Sequence, residues 1–216
     1  MSLPPVYLAV EGVIGVGKTT LAHLLQPTFD AKVMLEQFET NPFLPAFYKE
    51  PDRYAFQTQV AFLLSRYRQQ REITAVAGRL PLVSDYLFAK DQLFAQLNLK
   101  DAEWSTYLAL HEALAEQIAV PDLVVYLRAS VDVLMARITQ RGRAYEQDMS
   151  RDYITRLAAA YDRYFEAYEQ DRVLVIDTDE LNLVARAADL NAVRQVIIEQ
   201  LRAMTFPLLL PTERWS

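Results

Sequence analysis

The densest chemistry in the chain lies near its start. Gly12-Val13-Ile14-Gly15-Val16-Gly17-Lys18-Thr19 fits the pattern GxxxxGK[ST], and Thr20 carries it into a following helix. Glycines at this spacing let the backbone turn so that successive N–H groups face inward at phosphate oxygens. The helix N-terminus adds its dipole. Lys18 is placed to neutralise the β- and γ-phosphates of ATP, and Thr19 to hold Mg²⁺ through its hydroxyl. The chain has only five glycines, and three of them stand in this loop, which argues against a plain glycine-rich turn.

A second cluster is basic. Arg137 and Arg141 are one helical turn apart, and Arg143 follows in an Arg-Gly-Arg turn. Such a group can close over a triphosphate and stabilise charge on a transferring phosphoryl group. Spacing alone fits equally a solvated basic helix end favoured by its dipole.

The elements that must position these residues read as alternating strands and helices. Short Val- and Leu-rich runs at 6–10, 32–35, 81–84, 122–127 and 172–176 predict five strands. Helical apolar spacing predicts helices over 54–76, 102–119, 131–140, 152–170 and 184–204, with Pro51-Asp52 and Ser130 as starts. The alternation implies an α/β fold, a five-stranded parallel sheet flanked by helices. Asn41-Pro42-Phe43-Leu44-Pro45 reads as a rigid connection. One domain over 1–207 is expected, with an arginine-rich lid at about 137–150 and a tail at 208–216.

Composition narrows the partners. A net charge of −6 leaves no excess of Lys and Arg for a nucleic acid polymer. Without cysteine there are no disulfides or thiolate metal sites, and no apolar run approaches the roughly 20 residues of a membrane span. With no leader apparent, the cytoplasm is the expected compartment. His23 and His111 read as packing or surface residues.

At this point the chain resembles the deoxynucleoside kinases over about 6–177, a family built on the phosphate-loop NTPase fold. The resemblance rests on four elements in order: Glu11 with the loop that follows it; Glu36 followed by Asn41-Pro42-Phe43-Leu44-Pro45-Ala46-Phe47-Tyr48; Arg53-Tyr54-Ala55-Phe56-Gln57-Thr58-Gln59 with Ser65-Arg66; and Arg137 to Arg143 ending in Glu146. It implies ATP-dependent phosphorylation of a deoxynucleoside 5′-hydroxyl for nucleotide salvage, and a homodimer. Glu36 then matches the carboxylate that takes the 5′-hydroxyl proton, and Tyr48 with Glu146 the pair that binds the 3′-hydroxyl. Gln59 matches the amide that reads the base. Arg66 and Asp91 match a charged pair beyond the base that helps to separate purines from pyrimidines, here tilting the expectation to purines. Phe94 matches the aromatic that stacks on the base, one residue closer to Asp91 than the pattern expects.

One departure stands out. Where the family has an acid, an arginine and a serine after the third strand, this chain has Asp85-Tyr86-Leu87. Asp85 keeps an acid suited to Mg²⁺. Tyr86 cannot supply a fixed positive charge to the 5′-oxygen. Either another cation, Arg143 or Arg79, does so, or the chain is a divergent branch with altered chemistry; retention of Glu36, Lys18, Asp85 and the lid favours the branch. A thymidylate-type monophosphate kinase and a nucleotide-binding regulator without catalysis are the competing readings. No Asn-Lys-x-Asp guanine signature is present.

Overall fold

A computed structural model of the chain describes residues 5–116, 118–143, 146, 149–169 and 172–205. The 208–216 tail and part of the lid (144, 145, 147 and 148) lie outside the described residues.

Five parallel strands form one sheet: β1 (Tyr7–Gly12), β2 (Lys32–Met34), β3 (Leu82–Ser84), β4 (Leu123–Arg128) and β5 (Val173–Asp177), in the order β2-β3-β1-β4-β5. The central strand β1 is buried at every position, and β4 at every position except Arg128. Strands covered on both faces have no solvent side on which to alternate, which is why they read as continuous apolar runs. In register, Ala9 pairs with Ser84 and with Val124, so the C-terminal ends of β1, β3 and β4 open at one edge.

Among the described residues, eight α-helices flank the sheet, seven of them between strands and the eighth after β5. Helix α1 (Lys18–Phe29) follows the phosphate loop and packs on β1, β2, β3 and α8 (Ala187–Thr205). The crossover from β2 to β3 holds α2 (Leu44–Lys49) and the 26-residue α3 (Pro51–Val76). Helices α4 (Lys90–Asn98) and α5 (Asp101–Ala115) lead to β4, and α6 (Val131–Arg141) and α7 (Arg151–Glu166) lead to β5. Ser130 caps α6 by accepting from Val133 N, and Pro51 occupies the first turn of α3, where its missing N–H has no cost.

Two apolar clusters hold the layers. The larger surrounds the sheet, with Leu8, Val10, Leu82, Leu123, Leu134, Leu157 and Ile197 among its members. The smaller joins Leu44, Phe47, Ala55, Leu63, Phe88, Leu99 and Tyr107 from α2 to α5. The segment expected as a rigid connection is therefore partly helix: Pro45 falls in the first turn of α2, where proline is tolerated. Helix α4 was not foreseen from the sequence. Its nine residues follow directly on the apolar stretch Tyr86-Leu87-Phe88-Ala89 and are too few to show a clear helical period.

Candidate active site

The phosphate loop leaves β1 at Gly12, whose φ of 148° and packing both exclude a side chain: a Cβ there would lie 2.3 Å from Leu127 O. Val13 and Val16 are buried anchors, whereas Ile14 and Gly15 face a cleft. Gly17, at φ 107°, precedes α1, whose first residues Lys18 and Thr19 line that cleft. Lys18 Nζ donates to Gly12 O at 2.7 Å and Val13 O at 3.3 Å, spanning the loop. Burial lowers its pKa to about 8, with repulsion from Lys90 adding to the effect.

The glutamate before the loop is fully buried and does not line the cleft. Glu11 Oε1 accepts from Gly12 N at 2.9 Å and Tyr161 Oη at 3.0 Å, and Oε2 accepts from Leu87 N at 2.6 Å. It fixes the start of the loop to α7 and to the connection between β3 and α4.

Asp85, just past β3, joins two of the expected residues. Its Oδ2 accepts from Thr19 Oγ1 at 2.5 Å and its Oδ1 from Glu36 N at 2.7 Å. Gln69 of α3 holds the same segment from the other side, Nε2 donating to Leu35 O at 2.6 Å. The Glu36 carboxylate is thereby aimed into the cleft, where Lys90 Nζ donates to Oε2 at 2.6 Å and Arg66 Nη2 lies 3.1 Å from Oε1. Burial alone would raise the Glu36 pKa. The ammonium and guanidinium outweigh it and hold the group at about 2.

Arg66 also lies 2.8 Å from Asp91 through Nη1, an ionic contact without hydrogen-bond alignment. Asp91 is fully buried, and desolvation lifts its pKa to about 7 against the pull of Arg66 and Lys90. It sits behind the cleft wall, in contact with Arg66.

Asn41 shapes the near wall. Its Oδ1 accepts from Phe43 N at 3.0 Å and its Nδ2 donates to Thr58 O at 3.0 Å, pinning the turn before α2 to α3. Tyr48, Gln59 and Phe94 all line the cleft, as expected. Gln59 is buried, and its Oε1 has no hydrogen-bond partner among the described residues. Phe38, Phe62 and Tyr153 add apolar wall that the sequence analysis did not identify, since lone aromatics carry no signal apart from core packing.

The lid residues divide. Arg141 grips Glu146 with both ends of its fork, Nε to Oε2 at 3.0 Å and Nη2 to Oε1 at 2.6 Å. Arg143 lies 3.6 Å from the same carboxylate and over the Phe38 ring at 4.4 Å. Both line the cleft with Glu146. Arg137 does not line it. Its guanidinium donates to Val16 O, Thr178 Oγ1 and Thr178 O at 3.2, 2.9 and 2.7 Å, tying α6 to the phosphate loop and to the turn after β5.

Tyr86 is fully buried in the large core, and its hydroxyl has no partner among the described residues. Arg79 is exposed and precedes β3, so it stands at the edge of the sheet opposite the cleft. Neither can meet a group beside Glu36. Lys90, at the start of α4, does, and it escaped the sequence analysis because that helix did. Five cations and three carboxylates line the cleft, a positive balance inside a chain of net charge −6. His111 is a core residue stacked on Phe88 at 5.1 Å, and His23 is exposed.

The deoxynucleoside kinase family model matches residues 8–202. The chain is 30% identical to deoxyguanosine kinase of Bacillus subtilis over 87% of this chain and 93% of that one. It is 36% identical to deoxyadenosine kinase of Dictyostelium discoideum over 76% and 69% of the two chains. The fold is also that of the deoxyadenosine kinase of M. mycoides with bound dATP, at a TM-score of 0.78 and 22% identity over 89% of this chain and 99% of that one. The chain belongs to the deoxynucleoside kinase family.

Proposed function

We propose that this enzyme transfers the γ-phosphoryl group of ATP to the 5′-hydroxyl of a purine deoxynucleoside, giving the monophosphate and ADP in nucleotide salvage. The observation that carries the reading is the placement of Glu36. Its ionised carboxylate faces the same cleft as Lys18 and Thr19, with Asp85 holding its backbone.

Each group has a task. Loop N–H groups and Lys18 hold the donor phosphates. Thr19 and Asp85 offer a hydroxyl and a carboxylate oxygen 2.5 Å apart, hard donors that suit Mg²⁺ together with phosphate oxygens and water. Held there, the ion would offset the negative charge of the donor phosphates.

Glu36 accepts the 5′-hydroxyl proton as the oxygen attacks. A carboxylate with a pKa near 2 is a weak base, and a loose phosphoryl-transfer transition state asks little more of it than position. Gln59, which lines the cleft with an Oε1 unpartnered among the described residues, is assigned to the base, and Tyr48 and Glu146, which line the same cleft, to the sugar. Phe94 supplies a face for stacking. The named relatives, which act on deoxyguanosine and deoxyadenosine, support a purine.

The test is a panel of the four deoxynucleosides with ATP, read as kcat/KM, with thymidine monophosphate alongside. Highest values for deoxyadenosine or deoxyguanosine are expected. Phosphorylation of the monophosphate alone would overturn the proposal.

A further inference from the structure

We infer that Lys90 is a catalytic residue that takes over the charge lost at Tyr86, contacting the 5′-oxygen and the transferring phosphoryl group. The inference rests on the kinase reading above and adds a residue to it.

Tyr86 leaves the site without its expected cation, and its buried side chain points into the core. Four residues later the chain supplies one. Lys90 is only 4% exposed, lines the cleft, and places Nζ 2.6 Å from the carboxylate oxygen of Glu36. An ammonium so buried is not a solvated surface charge, and its attraction to Glu36 outweighs desolvation and keeps it protonated.

Its position is fixed with respect to the donor. The connection that carries it is bonded through Leu87 N to Glu11, and the same carboxylate holds Gly12 N at the start of the phosphate loop. Lys90 is also near enough to Lys18 to depress that lysine's pKa. Both ammonium groups line the cleft, Lys90 at Glu36 and Lys18 on the phosphate loop, so charge developing on equatorial oxygens held between the loop and Glu36 would meet a cation from each side.

The other cations are committed. Arg66 is shared between Glu36 and Asp91, Arg141 holds Glu146 through Nε and Nη2, and Arg143 lies between Glu146 and Phe38. Arg79 is on the far edge of the sheet.

The step balances without a further reactant. The 5′-oxygen forms a bond to the γ-phosphorus, the bridging P–O bond breaks with its electrons leaving on ADP, and the hydroxyl proton passes to Glu36. Lys90 keeps its proton and donates hydrogen bonds throughout. As a point charge on a flexible stem it lacks the two-pronged geometry of arginine.

The test uses full-length protein with Lys90→Met, Lys90→Gln and Lys90→Arg, each checked for folding by circular dichroism and Tm. For Met and Gln a kcat loss of about 100-fold or more is expected. The KM for deoxynucleoside and the Kd for a non-hydrolysable ATP analogue stay within about threefold, and arginine recovers a tenth or more of the wild-type rate. Affinity for ADP with aluminium fluoride and a deoxynucleoside, a mimic of the transferring group, falls with kcat. Tyr86→Phe leaves kcat unchanged.

A kcat within about fivefold of wild type in the Met or Gln variant overturns the assignment. So does a loss shared equally by the ATP analogue and the mimic, since that marks a purely structural ion pair. Absence of turnover in the wild type would sink the kinase reading, whereas wild-type turnover indifferent to Lys90 sinks this inference alone.

Discussion

Thr19 and Asp85 meet at 2.5 Å, hydroxyl to carboxylate, so the first turn of α1 and the end of β3 share one hydrogen bond at the mouth of the cleft. Asp85→Ala removes the acceptor of both Thr19 and Glu36 N. It is expected to lower kcat by about 100-fold or more and to raise the Mg²⁺ concentration needed for half-maximal rate. A magnesium titration of initial rates reads both effects, and an unchanged midpoint would separate Asp85 from the ion.

Glu36→Gln keeps shape but cannot take a proton. Its expected cost is about 10²- to 10⁴-fold in kcat, with the Kd for an ATP analogue within about threefold of wild type. Single-turnover kinetics with calorimetry of nucleotide binding check the two halves independently.

Gln59→Leu removes a buried acceptor, unpartnered among the described residues, to which the proposed function gives the reading of the base. A lost hydrogen bond of about 1–2 kcal/mol predicts a roughly 10-fold fall in kcat/KM for the preferred deoxynucleoside and a narrower spread across the four. The deoxynucleoside panel repeated on the variant measures it.

Asp91 predicts a pH dependence of stability. Facing it are Arg66 from α3, Glu36 beyond β2, Glu11 from β1 and its neighbour Lys90, and Tyr107 of α5 feels its charge. Its pKa rises from 3.8 to about 7 on folding, so the folded state binds the proton more tightly. The resulting stabilisation is complete below pH 3.8 and is lost as pH rises through 7, with an upper bound of about 4 kcal/mol. Asp91→Asn does not titrate. Its Tm relative to wild type should therefore increase steadily from pH 5 to pH 8, and a constant difference would refute the shift.

Gly12→Ala should prevent folding or lower Tm by more than about 10 °C, because its Cβ would meet Leu127 O, a backbone atom that cannot turn aside. Gly17→Ala has no such neighbour within 4 Å and carries only the cost of its φ. Thermal melts of the two variants distinguish collision from conformational strain.

The parallel sheet was legible because each strand is a continuous apolar run between helices, and its ends fall within about two residues of those expected. The phosphate loop was legible because its chemistry is local in sequence. What escaped is non-local. Lys90 looks like any surface lysine until α4 brings it to Glu36, 54 residues earlier. Arg137 has the spacing of a lid arginine, yet folding directs its guanidinium to Val16 O, a partner 121 residues away. Pro42 and Pro45 suggested an irregular connection, although the second starts a helix.

Glu11 has a further consequence, for which residue the position tolerates. Its two oxygens receive three donors, from Gly12, Leu87 and Tyr161. Glutamine has the same length, but turning one oxygen into an amide would set N–H against N–H in a place water does not reach. An acid beside a phosphate loop invites a catalytic interpretation. Here its value is that of a rivet with no hydrogens of its own, which makes the negative charge indispensable to the architecture.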